Sequence, residues 1–92
     1  MHRRDIAQAV ADALFEAETA VDLALEKAAL FITRTSSLRR DHDFSAVLGH
    51  EGVAAVTRSI DTLGQARSHM MTAHAALAPH LLEHLGEHLG RL

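Results

Sequence analysis

Eight histidines stand in a chain of 92 residues, and three of them, His80, His84 and His88, recur at four-residue spacing. On a helix, side chains at i and i+4 converge on one face, and imidazole is a ligand for zinc, nickel and copper alike. With Glu87 beside them, His84 and His88 form the best trio for a divalent cation. The runs His80-Leu-Leu-Glu83-His84 and His84-Leu-Gly-Glu87-His88 also match the H-x-x-E-H pattern of inverted zinc peptidases. That enzyme reading is rejected, because the pattern is short, no third ligand follows it and no substrate cleft is implied. The plainer reading is a solvated polar face opposite a leucine stripe, in a tandem Glu-His-Leu-Gly repeat. No resident cofactor is expected, and weak zinc or nickel binding is the only metal chemistry the trio offers.

A second constellation runs from Arg39 to Glu51 and contains Phe44-x-Ala46-x-x-Gly49-His50-Glu51. This stretch resembles the H-box of the dimerisation and phosphoacceptor domain of sensor histidine kinases, over about a dozen residues. The resemblance implies a helical hairpin that dimerises into a four-helix bundle, with His50 as phosphoacceptor and Glu51 as its neighbouring general base or orienting carboxylate. The family follows His-Glu with a polar residue and a proline, where this chain has Gly52, Val53, Ala54 and Ala55. No ATP-binding domain accompanies the motif, so kinase activity in this chain is not expected.

Other chemistries find no support. Serines and threonines do not converge with a histidine and an acid, and no glycine-rich phosphate loop occurs. The absence of cysteine rules out thiolate catalysis and thiolate zinc sites and is compatible with a reducing compartment. Three aromatic residues, all Phe, cannot build a stacking platform for single-stranded nucleic acid. A net charge of −3 repels a phosphate backbone, so no nucleic-acid partner is expected. The longest apolar run, Ala28 to Ile32, is too short for a membrane span, and the basic start at Arg3-Arg4 leads into acids rather than a signal-peptide core. A cytoplasmic protein with no membrane partner is expected.

The elements that carry these residues read as helices, since no stretch alternates with period two and alanine is plentiful in two long segments. The first helix is expected from about Asp5 to about Thr33, with Asp5 and Gln8 as a capping-box-like start. Its core stripe holds Ile6, Val10, Leu14, Val21, Leu25, Phe31 and Ile32, with Ala13, Ala17, Ala24 and Ala28 between them. Residues 34–45 read as a loop. A second helix over about 46–78 carries Val53, Val56, Ile60, Leu63, Met70, Leu77 and Leu81 at alternating steps of three and four, with Arg67 and His74 filling the two remaining seam sites. Pro79 either kinks that helix or opens a short third one over about 79–91.

The fold class is therefore all-α, an antiparallel hairpin of two long helices plus a short proline-separated C-terminal helix, in one domain spanning 1–92. A turn around residue 40 pairs residues whose numbers sum to about 80, which brings Arg67 near Asp12, Glu16 or Glu18 and His74 near Asp5. Residues 80–92 then have no partner on the first helix. Leu82, Leu85 and Leu89 need a cover, and Phe15, Leu23 and Leu30 lie on the far side of the first helix. Ala55, Ser59, Thr62, Ala66 and Ala73 form a second, small-residue seam. Together these features lead to a homodimer, two hairpins making a four-helix bundle, with a non-enzymatic role in assembly or protein–protein interaction. The alternatives are a histidine-rich metal-binding protein and a phosphotransfer hairpin centred on His50. A monomer with the last helix folded back is the competing architecture.

Overall fold

Two helices of nearly equal length, α1 over Arg3–Asp41 and α2 over Ala46–Leu85, lie side by side in a computed structural model that describes residues 2–42 and 46–85, with the side chains of 46–48 and 85 left aside. The pairing is antiparallel: Arg67 meets Asp22, His74 meets Glu18, and Leu81 packs on Ala7 and Ala11. The molecule measures 60 × 21 × 18 Å. A helix of 39 residues, at about 1.5 Å per residue, spans nearly that full length, so the fold is one long hairpin with no second layer. No strand occurs among the described residues.

α1 begins two residues before the expected start. His2 takes an extended conformation ahead of the helix, and its backbone N–H donates to Asp5 Oδ2 at 3.2 Å. Asp5 thus closes the first turn from inside the helix instead of capping it, while the Gln8 side chain donates to Asp12 Oδ1 at 2.9 Å.

The expected loop over 34–45 is corrected more substantially, because α1 continues to Asp41. No glycine or proline occurs between Thr33 and Asp41 to stop it. Arg39 and Arg40 in the last turn suit the negative end of the helix, and the His42 N–H closes on the Leu38 carbonyl at 3.0 Å. Thr35, Ser36 and Arg39 are half-buried here, so polar residues fill the seam where the helices approach the turn.

This longer α1 moves the turn and changes the register. Facing residues have numbers that sum to about 90 instead of 80. Residues 80–85 therefore do have a partner on α1. Leu81 is 6% exposed against Ala7 and Ala11, which corrects the expectation of an uncovered segment there. The separate third helix is also corrected as far as the structure reaches, since α2 runs through Pro79 to Leu85. Pro79 is exposed, so the Ala75 carbonyl that loses its bonding partner lies on an exposed part of the helix. Residues 86–92, with Glu87, His88 and Leu89, lie outside the described residues.

The seam of α1 follows steps of four and three through Ala7, Ala11, Leu14, Glu18, Val21 and Leu25, continuing to Ala28, Ile32, Thr35 and Arg39, all buried or half-buried. Several members of the expected stripe lie beside this seam and not in it: Ile6, Val10 and Phe31, which are 49%, 38% and 47% exposed, and the alanines Ala13, Ala17 and Ala24. The seam of α2 falls on the expected positions at Val53, Val56, Ile60, Leu63, Met70, His74 and Leu81, while Arg67 turns out to solvent and Leu77 is exposed, with Ala78 half-buried beside it.

Candidate functional site

The buried hydrophobic residues among the described ones are Ala7, Ala11, Leu14 and Leu81. Nine large hydrophobic side chains among the described residues are left open, from 36% exposed at Leu77 to 64% at Met71. A pair of helices can cover only one stripe of each, so the rest of the apolar surface is distributed by helical geometry over two faces and a back.

The residue preceding each α1 seam position forms a second series at the same spacing: Ile6, Val10, Ala13, Ala17, Ala20 and Ala24, then Lys27, Phe31, Arg34 and Leu38. Stepping back one residue turns 100° around the helix, and in an antiparallel pair the same step on α2 turns to the same side. The corresponding α2 series is Ala55, Ser59, Thr62, Ala66 and Ala73 with their neighbours, the small-residue seam read from the sequence. Val10 and Ile6 indeed line a depression of about 190 Å³ together with His80 and Leu81. One face of the hairpin thus offers bulk on α1 and small residues on α2. Ser59 and Thr62 donate their hydroxyls to the carbonyls of Ala55 and Arg58 at 3.1 Å, so both can be covered without losing a hydrogen bond.

The opposite face is more polar. Arg67 Nε sits 3.2 Å from Asp22 Oδ1, with both side chains more than half exposed, and these two line a depression with Glu18, Val21, Met70 and Met71. His74 Nδ1 and Glu18 Oε1 are 3.1 Å apart and part-buried. The partners anticipated for Arg67 and His74 are corrected by the shift in register: Asp22 and Glu18 take the places expected for Asp12, Glu16 and Asp5. Both seam residues are nonetheless satisfied by carboxylates of α1.

The expected interface residues that are described do not form one patch. Phe15, 61% exposed, and Leu82, 45% exposed, belong to the polar face. Leu23, 50% exposed, lies on the back of α1. Leu30 is half-buried and joins Lys27, Phe31, Arg34 and Leu38 around a shallow depression of about 370 Å³. The Leu85 side chain and Leu89 lie outside the described residues. What sequence reasoning missed is the series through Val10, Phe31 and Leu38. It was hidden in an over-wide core stripe, although its own four-three spacing was there to be read.

Of the metal trio, His84 borders the depression shared by Arg3, His80 and Leu81, while Glu87 and His88 fall outside the described residues. No group of three or more histidine, aspartate or glutamate side chains is placed to hold a metal ion among the described residues. His50 and Glu51 are exposed and lie within α2. Gly49 beside them borders an apolar depression of about 390 Å³ at the tip of the hairpin, with Thr35, Leu38, Arg39 and His42. Among the described residues no helix is long and apolar enough to cross a membrane.

Compared with protein-family models, curated proteins and solved structures, the chain matches none.

Proposed function

We propose that this chain is a non-enzymatic assembly module, a helical hairpin that associates with a second copy into a dimeric four-helix bundle. The observation that carries this reading is the imbalance, among the described residues, between four buried hydrophobic residues, two of them alanines, and nine open large ones. A 60 Å hairpin one layer thick buries little, and pairing with a copy of itself covers a second stripe on every helix at once. The cysteine-free composition suits a reducing compartment such as the cytoplasm.

Size exclusion with light scattering tests the proposal, with detection by refractive index because the chain lacks Trp and Tyr. At micromolar concentration, pH 7.5 and with chelator present, the expected mass is about 20 kDa, twice the chain mass of 10.0 kDa. A single species of one chain mass overturns the reading and leaves the open face for a different protein.

A further inference from the structure

We infer that the occupant of the open face is a second copy docked α1 on α1 in antiparallel fashion, with the two-fold axis passing beside Ala20. This rests on the dimeric reading above and specifies its interface.

The first support is the symmetry of the open series on α1. Around Ala20 two pairs match in kind, Ala17 with Ala24 and Val10 with Phe31, while Ala13 falls opposite Lys27 and Ile6 opposite Arg34. A two-fold axis at Ala20 lays Phe31 of one copy over Val10 of the other, 47% and 38% exposed in the lone hairpin. The alanines at the centre let the two helix axes approach to about 8 Å.

Charge decides the direction. From Asp5 to Glu26 α1 carries six carboxylates and no Lys or Arg, and from Lys27 to Arg40 it carries four cations and no carboxylate. Antiparallel docking sets the basic half of each copy over the acidic half of the other and brings Lys27 opposite Ala13, within about one helical turn of Glu16 of the second copy. Parallel docking stacks like on like. Docking α1 on α2 of the second copy sets Lys27 and Arg34 against a series with no carboxylate between Gly52 and His80.

The available area is sufficient. A face of 60 × 21 Å offers on the order of 1,200 Å² per copy, against about 800 Å² per partner in a stable complex. The same two-fold brings α2 onto α2 through residues that are mostly small, with the hydroxyls of Ser59 and Thr62 already paired.

The chain has no cysteine, so single cysteines report the interface directly. Ala20→Cys is expected to oxidise to a disulfide-linked dimer on a non-reducing gel, because residues at a two-fold axis between close helices fall within disulfide reach. Ala29→Cys, exposed on the other face, is expected to stay reduced under the same conditions. Lys27→Glu is expected to weaken the dimer about tenfold, and adding Glu16→Lys to restore it. A wild-type mass of one chain overturns the dimer itself. A wild-type dimer in which Ala20→Cys does not cross-link, or in which Glu16→Lys fails to rescue, leaves the dimer standing and overturns this interface.

Discussion

His74 Nδ1 lies 3.1 Å from Glu18 Oε1, joining seam positions 56 residues apart in sequence. Both side chains are about one-third exposed, and each occupies a site where the seven-residue pattern calls for an apolar residue. A polar pair in a seam costs stability relative to well-packed hydrophobic residues, and it penalises every register in which either partner is left alone. Glu18→Leu combined with His74→Leu is therefore expected to raise unfolding stability by about 1 kcal/mol, read from thermal melts followed by circular dichroism at fixed concentration. The single replacements should fall short of half that gain each, because each strands a partner. Strict additivity of the two singles would show that the groups do not interact.

The ion pair beside it behaves differently. Arg67 and Asp22 are both more than half exposed, so water and salt screen their attraction. Arg67→Ala is expected to change stability by less than about 0.5 kcal/mol at physiological ionic strength, in the same melts. A loss several times larger would mean that the arginine stem, rather than its charge, packs over the Met70 side of the seam.

Leu81 anchors the far end of the hairpin on Ala7 and Ala11. Leu81→Ala should cost about 2–3 kcal/mol, whereas Leu82→Ala, one residue on and 45% exposed, should cost less than about 0.5 kcal/mol in the lone chain. Urea titrations of both variants give the comparison, and equal costs would contradict the register described above.

That register marks the boundary of what the sequence made legible. The all-helical hairpin, the α2 seam from Val53 to Met70 with Leu81, and the polar guests Arg67 and His74 followed from spacing, which survives in any antiparallel pairing, whereas Leu77 did not join the seam. The turn position did not. Ser36 and Ser37 suggest a loop by composition, yet helix propensity is a weak prior and seam packing carried α1 to Asp41. A few residues of extra helix move every partner along the pair, which is why the carboxylates for Arg67 and His74 were read from the right helix but the wrong turns. The open face failed for another reason. At 100° per residue a stripe 120° wide cannot separate two seams one residue apart, so Val10 and Phe31 were counted with the core they border.

Gly64 offers a simple gain. It lies in the interior of α2, and a Cβ placed on it meets nothing within 4 Å. Gly64→Ala removes backbone freedom from the unfolded chain without crowding the folded one, and is expected to add about 0.5–1 kcal/mol. Thermal melts check it, and a loss of stability would show that something approaches Gly64 in the assembled protein.

Pro79 poses the sharpest question about α2. The helix passes through it to Leu85, although a proline in a helix interior forfeits a hydrogen bond and costs up to about 3 kcal/mol relative to alanine. The cost is reduced here because Pro79 is exposed, so water can reach the backbone opened beside it, and because Leu81 holds the following turn against Ala7 and Ala11. Pro79→Ala is accordingly expected to stabilise the chain by about 1–2 kcal/mol, short of the full penalty, and to slow amide exchange most strongly between His80 and Glu83. If Pro79→Ala instead leaves exchange there unchanged, the Leu81 anchor alone sets the stability of that end. Combining it with Leu81→Ala then separates the two, since without the anchor the proline should govern whether the last turns of α2 stay closed.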